Sequence, residues 1–278
     1  MEKLYSTSEE VANAYVDLGY KKAYMPFAKQ FVLAMLAGAF IAFASQGSSA
    51  AIHTIESVGI GKALAGALFS TGLMLVIIAG AELFTGASLI IISCLKGKTS
   101  IWVMLKSWGI IYIGNMVGSV LIAFFIFKSG QLNFSDGLLG GFTIKTAAYK
   151  TGLPFGNAFY LGILCNWLVC LAVWLAACAK DISGKILGIF FPIWLFITSG
   201  FEHSVANMYY IPAGILAKSN PEWVQKAMDL GVTPEKLANL NWETFFSINL
   251  LPVTLGNIVG GALFVGGAYW FAYLRSEK

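Results

Sequence analysis

Charge is what this 278-residue chain has least of: Asp, Glu, Lys and Arg supply 12% of it, against roughly a quarter in a soluble domain. So few charges cannot clothe a water-facing surface, which excludes an ordinary soluble globular domain. Histidine is almost missing, with two residues, and the four cysteines (Cys94, Cys165, Cys170 and Cys178) form no CxxC pair. They read as packing residues, not as a metal centre or a disulfide framework, and nothing in the chain calls for a metal or a cofactor. HExxH and GxSxG are both lacking, so the common signatures of an intramembrane hydrolase are not there. A formal charge of +4 spread over many loops gives no basis for nucleic-acid binding.

What is there is apolar sequence, 58% of the residues with a mean hydropathy of +0.74. Charge-free runs extend from Gln30 to Ile52, Ala63 to Ala81, Ser107 to Phe127, Thr151 to Ala179 and Thr244 to Leu274. Each is long enough to cross a hydrocarbon core of about 30 Å, which takes roughly 20 helical residues. A sixth span is interrupted: Ile186–Phe201 and Ser204–Ala217 are separated by Glu202 and His203. The fold class expected is an all-α integral membrane protein of six spans. Lysine and arginine concentrate at residues 3–29, 96–106, 180–185 and 275–278, which fall on one side of a six-span chain. The excess of basic residues there places both termini in the cytoplasm of a multi-pass protein of the cell (inner, cytoplasmic) membrane.

Three segments follow: 1–25 as a cytoplasmic amino-terminal segment, 26–275 as the six-span domain, and 276–278 as a cytoplasmic tail. Glu9, Glu10 and Asp17 stand where a signal peptide would have its apolar core, so the first segment is expected to be retained. Ser6 with Glu9 resembles a capping box, and Val11, Tyr15 and Leu18 share a helical face. A short amphipathic helix at the membrane surface and a solvated tail are both compatible with that pattern. Between Lys218 and Glu243, Asn220-Pro221 and Thr233-Pro234 are helix starts in a small outer cap.

Laying the halves side by side shows a repeat. Gly80-Ala81-Glu82 recurs as Gly200-Phe201-Glu202, and Gly114-Asn115-Met116-Val117-Gly118 recurs as Gly256-Asn257-Ile258-Val259-Gly260. The first match falls in spans two and five, the second in spans three and six. A unit of three spans is odd, so the second copy enters the membrane upside down, giving a 3+3 inverted repeat. Chance matches in glycine-rich apolar sequence are the competing explanation, and the shared order of both motifs argues against it.

Glu82 and Glu202 lie inside apolar stretches, where an ionisable group costs at least a few kcal/mol unless it faces protein or water. Each follows a glycine, which suggests that the second and fifth helices break and restart there. A carboxylate at a break can accept the orphaned backbone N–H groups of the new helix start, so both glutamates are assigned a structural role. His203 is the one histidine within a span and sits opposite Thr85 at the other break. As a neutral donor it would orient an anion; as imidazolium it would attract one, or hand it a proton. Phe69, Leu73, Leu83, Phe84 and Phe196 stand near the breaks and read either as plain core or as apolar constrictions.

These residues carry a resemblance. AGAELFTG from Ala79 to Gly86, SGFEHSVANM from Ser199 to Met208 and LPVTLGNIVGG from Leu251 to Gly261 are similar to signatures of the formate/nitrite transporter family. LGILCNWLVCLAVW, from Leu161 to Trp174, resembles the formate channel branch, and the likeness runs from about Lys21 to Arg275. The resemblance implies an aquaporin-like fold with broken second and fifth helices, a homopentamer with one pore per protomer, and no enzymatic activity. It also implies His203 as the central pore histidine, Thr85 facing it, and Asn257 and Asn166 nearby. Lys150 would stand in the outer vestibule, Phe69, Leu73, Leu83 and Phe84 on the cytoplasmic side of the pore or in its gating segment, and Phe196 at an outer constriction. Glu82 and Gly86-Ala87 depart from the branch, which often has Asp and Ser-Thr there; a glycine after Thr85 is expected to loosen its loop.

The function expected is a membrane channel for small monovalent weak-acid anions, formate first, in which His203 handles the proton between two apolar slits. Nitrite, hydrosulfide, acetate or lactate fit the same reasoning, as does proton-coupled symport in place of passive conduction. An intramembrane enzyme using Glu82, Glu202 and His203 has no motif behind it. The lipid bilayer and further copies of the chain are the other partners.

Overall fold

The computed structural model describes residue 3 and residues 5–275, so the segment 276–278 lies outside the described residues. Among these, five helices are long and apolar enough to cross a membrane: α2 (Phe27–Ile52), α3 (Val58–Ile78), α5 (Ile101–Lys128), α7 (Phe155–Cys178) and α12 (Trp242–Tyr273). Shorter apolar helices complete the interrupted spans, α4 (Phe84–Leu95) continuing α3, and α8 (Ile182–Thr198) continuing into α9 (Ser204–Ala217). Three further helices lie outside the bundle core: α1 (Ser8–Ala23), α6 (Leu138–Lys150) and the cap helix α10 (Pro221–Asp229), followed by the single turn α11 (Pro234–Asn239). α3, α5 and α8 start earlier than the charge-free runs because they carry Lys62, Lys106 and Lys185 within their first two turns, where a long side chain can reach the interface.

The packing is duplicated. α2 lies along α5 as α7 lies along α12, α2 meets α3 as α7 meets α8, and α3 and α8 cross each other where the two halves join. Glycine makes the long pairs close. A Cβ at Gly118 would stand 1.9 Å from the Met35 carbonyl oxygen, and one at Gly260 would stand 2.2 Å from that of Ile163. The GxxxG spacing therefore serves backbone approach in both copies. α2 and α7 both start after a proline, Pro26 and Pro154, whose fixed φ suits a helix entry.

The repeat is longer than three spans. α1 packs on α4 as α6 packs on α9, so each half opens with an extra helix that buttresses its own broken span. α1 buries Val11, Ala12, Tyr15, Gly19 and Ala23 against the bundle and leaves Leu18 38% exposed. It docks on protein through this face. Its capping box is one residue later than Ser6 and Glu9: Thr7 Oγ1 accepts Glu10 N–H, and the Glu10 carboxylate accepts Thr7 N–H at 2.8 Å. Ser6 N–H is instead taken by the Cys178 carbonyl, which ties the chain to the end of α7. The cap helices begin as expected, with Asn220 and Thr233 accepting backbone N–H groups ahead of Pro221 and Pro234.

Candidate functional site

Two glycines end the first halves of the broken spans. Gly80 has φ +82° and Gly200 φ +74°, a left-handed conformation that only glycine adopts at low cost. After each, the chain runs extended through Glu82-Leu83 or Glu202-His203 and then restarts as a helix, with Leu83 and His203 as the two N-caps. A restart inside a membrane leaves orphaned N–H groups. They do not go to the glutamate carboxylates, as the sequence suggested. Asn115 Oδ1 accepts Phe84 N–H at 2.9 Å while its Nδ2 donates to the Ala34 and Glu82 carbonyls. Asn257 Oδ1 accepts Ser204 N–H at 2.9 Å while its Nδ2 donates to the Gly162 and Glu202 carbonyls. A side-chain amide offers both an acceptor and two donors, which a carboxylate cannot, and so it staples extended backbone on both sides. Glu82 N–H and Glu202 N–H complete the pattern by donating to Leu33 and Leu161.

The glutamate carboxylates pair with lysines. Glu82 receives both its hydrogen bonds from Lys22 Nζ, at 2.7 and 2.8 Å. Glu202 Oε1 receives Lys150 Nζ at 2.8 Å, and Oε2 receives Asn207 Nδ2 at 2.7 Å. Lys22 ends α1 and Lys150 ends α6, so the repeat supplies each break with a carboxylate and its own cation. Asn249 adds a brace in the second half only, donating to the Lys150 carbonyl and accepting from Asn207.

Between the breaks Thr85 Oγ1 stands 2.9 Å from His203 Nε2, both residues buried. His203 Nδ1 accepts Ala206 N–H at 3.1 Å and thereby caps α9. An accepting Nδ1 carries no proton, so the neutral ring holds its proton on Nε2 and donates it to Thr85. His203 is not the repeat mate of Thr85. The N-cap that corresponds to it is Leu83, and Thr85 corresponds to Val205, because the motif match aligns Glu82 with Glu202. Nor does Thr85 sit on a loosened loop: it is in the first turn of α4, its carbonyl accepting from Asn166 Nδ2 at 3.3 Å and Cys170 Sγ at 3.4 Å. Asn166 Nδ2 also donates to the Asn257 carbonyl at 2.6 Å, linking the two breaks. Asn166 and Asn257 therefore position Thr85 and His203 and have their own amide groups engaged.

A cavity of about 400 Å³ opens at the α1 end of the bundle. Lys22, Lys29 and Lys185 stand around it with one carboxylate, Glu82, and Leu73 and Leu83 line its inner wall. Phe69 does not belong with them. Its ring meets Phe196 edge-on at 5.6 Å, and Phe196 lies 6.1 Å from the His203 ring, so Phe69 and Phe196 form one aromatic pair beside the histidine. Phe84 turns away from Leu73 and Leu83 toward α5, its ring edge-on to Tyr112 at 4.8 Å and to Trp108 at 6.1 Å. α3 runs antiparallel to α8 across the break, which brings Phe69 level with Phe196, and the helical turn at Phe84 rotates it away from the Leu83 side.

Lys22, Asn115, Asn207 and Asn249 were not singled out from sequence. Asn115 had the clearest signal, since it stands in the same motif as Asn257. Lys22 had a weaker one: it precedes Pro26 by the spacing that separates Lys150 from Pro154.

The chain was compared with known proteins. The sequence profile of the "Formate/nitrite transporter" family matches residues 9–271. A "Probable formate transporter" of Methanothermobacter thermautotrophicus is 38% identical over 99% of this chain and 100% of its own length. The "Formate channel FocA" of Escherichia coli is 37% identical over 96% of this chain and 94% of its own. A solved structure described as "Pentameric formate channel with formate bound" superposes with a TM-score of 0.81 at 37% identity, covering 92% of this chain and 99% of that one.

Proposed function

Because the chain belongs to the formate/nitrite transporter family, with its multi-pass, aquaporin-like fold, we propose that it is a channel for small monovalent weak-acid anions, formate first, in which His203 handles the proton. It is a transport protein and not an enzyme. The relatives' names and the formate held in the solved relative support the cargo. By the same likeness the chain assembles as a pentamer with one pore per protomer, and the basic clusters set both termini in the cytoplasm. Residues 1–25 then lie on the cytoplasmic side of the six-span domain.

The observation that carries the mechanism is the Thr85–His203 hydrogen bond, the meeting point of the two broken spans. Lys22, Lys29 and Lys185 gather the anion into the inner cavity, and Lys150 does so from the far side, since Glu202 takes only one of the three ammonium protons. Leu73 with Leu83, and Phe69 with Phe196, are the apolar slits on either side of His203, where the anion sheds water. Full charge in low dielectric is the costly step, and a proton shared with a weak acid removes that cost. Nε2–H is taken by Thr85 Oγ1, so the Thr85 hydroxyl is the donor left to face the anion. For His203 to release the Nε2 proton as an acid, Nδ1 must first take another, and Ala206 N–H then has to give way. The resting ring is therefore neutral, and proton transfer is coupled to loosening of the α9 cap.

Uptake of formate, nitrite, hydrosulfide, acetate and lactate into liposomes holding the purified protein tests the cargo. Formate flux no greater than in protein-free vesicles ends the formate reading. His203→Asn keeps an N-cap side chain but no titratable ring; unchanged flux with unchanged pH dependence would remove the proton-handling role. Accumulation driven by an imposed pH gradient would make the protein a symporter.

A further inference from the structure

Gly86 is a glycine with no packing reason to be one. Its φ is outside the left-handed region, so no turn requires it. It sits in the first turn of α4, where glycine is a poor helix former compared with alanine. Other interior glycines of the bundle let backbones touch: a Cβ at Gly38, Gly118, Gly256 or Gly260 would stand about 2 Å from a carbonyl oxygen of the neighbouring helix. A Cβ at Gly86 would meet only Val173 Cγ2, at 3.6 Å, an ordinary van der Waals contact. The place of the missing side chain is therefore empty. It is also reachable. From Glu82 to Ile90, Gly86 is the one residue that is not buried, and it lines the 400 Å³ cavity next to Leu83 and across from Val173.

The residue before it is Thr85, hydrogen-bonded to His203. An anion whose carboxylate has reached the Leu73–Leu83 slit thus has a methyl-sized recess beside it, walled by Val173. Formate carries only a hydrogen on its carboxylate carbon and has nothing to put there. We propose that Gly86 is the size-determining residue of the inner slit, and that the recess it leaves receives the carbon substituent of monocarboxylates larger than formate, with acetate as the representative. This deepens the channel reading given above and rests on it. One added or missing methyl in such a recess is worth roughly tenfold or more in discrimination.

The test uses the full-length protein in liposomes with formate and acetate as the two probes. Wild type passes both. Gly86→Ala fills the recess, and the acetate-to-formate flux ratio falls about tenfold while formate flux changes less than twofold. Val173→Leu fills it from the opposite wall and lowers the same ratio. Gly86→Ala also melts at or above the wild-type temperature in detergent, because it improves a helix and meets Val173 only at an ordinary contact distance. An unchanged ratio, a parallel fall of both fluxes, or a lower melting temperature for Gly86→Ala overturns the proposal. Wild type that passes formate and excludes acetate also overturns it, and leaves the channel reading intact; wild type that passes neither sinks the channel reading itself.

Discussion

At the first break, an αL glycine, a Glu-Leu pair and a helix restart are held by Asn115 and faced by Lys22; at the second, an αL glycine, a Glu-His pair and a restart are held by Asn257 and faced by Lys150. The residues that recur all satisfy backbone or balance charge. The residues that do not recur are the ones with chemistry to spare: His203 for Leu83, Thr85 for Val205, Asn207 for Ala87. Asn166 replaces Gly38, and where Gly38 presses on the Asn115 carbonyl, Asn166 reaches across to the Asn257 carbonyl and to Thr85. Duplication built a frame able to interrupt two helices in lipid, and divergence at four positions placed a polar pair in the middle of it.

The largest effect should come from the shared joinery. Asn115→Ala strands one buried N–H and two carbonyls, and Asn257→Ala strands the same set in the other half. With roughly 1–3 kcal/mol per unsatisfied buried group, each loses about 3–9 kcal/mol, and thermal unfolding in detergent should show nearly equal losses. A mild Asn115→Ala beside a severe Asn257→Ala would mean that the asparagines are not equivalent.

The lysine pairs come next and should be unequal. Lys150 and Glu202 have side chains 12% and 3% exposed, and Asn207 completes the carboxylate; Lys22 and Glu82 are 27% and 8% exposed and border the open cavity. Lys150→Met leaves a buried carboxylate without its cation and should cost about 3–5 kcal/mol. Lys22→Met should cost roughly 1–3 kcal/mol, and adding Glu202→Gln to the first variant should restore most of its stability. Equal losses for the two single variants would contradict the difference in enclosure.

A smaller effect separates the residues that do not recur. Thr85→Val removes the hydrogen bond to His203, worth about 1 kcal/mol, so formate flux should drop roughly fivefold. Val205→Thr, the corresponding exchange in the other half, should change flux less than twofold. If both variants behaved alike in the same vesicle assay, the polar pair would have no special standing.

Much of this frame was legible before any coordinates. Long charge-free runs, two glycine-glutamate repeats and the GNxxG pair were enough for six spans, inverted halves and breaks at Glu82 and Glu202. Those features survive in sequence because lipid and backbone geometry tolerate few substitutes. The extra helix of each half was harder: α1 and α6 share a terminal lysine and a following proline, but one is amphipathic on charge and the other is apolar, so no common period joins them. The role of Asn115 was missed because an asparagine inside a GxxxG frame looks like a packing residue until its three bonds are seen. Phe69 and Phe84 were assigned with Leu73 and Leu83 by resemblance, since spacing does not single them out. Their edge-on contacts, Phe69 with Phe196 and Phe84 with Tyr112 and Trp108, come from packing between helices, which the order of residues along one chain does not carry.

The two buttressing helices also differ in how they are fixed, and pH should separate them. α6 is wedged by Trp223 of α10, whose ring fills the space beside Gly137 and Gly140 and donates to Asn133. α1 has a surface tether instead, Asp17 to Lys98, with Lys98 also over the Tyr20 ring and Lys21 nearby. The hydrogen bond from Lys98 holds the Asp17 carboxyl below its usual value, and that from Lys3 does the same for Glu10. A carboxyl depressed in the folded state stabilises above its unfolded value, near pH 4, and loses that contribution as pH falls through the depressed folded value. Hydrogen-exchange protection of α1 should therefore hold from pH 7 to about pH 4 and decline below it, while α6 is unaffected, and Lys98→Ala should flatten the decline. Both groups are fully exposed, so the change is expected to be the smallest of the four. Loss of α1 protection already between pH 7 and 5 would exclude Asp17 and Glu10 as its cause.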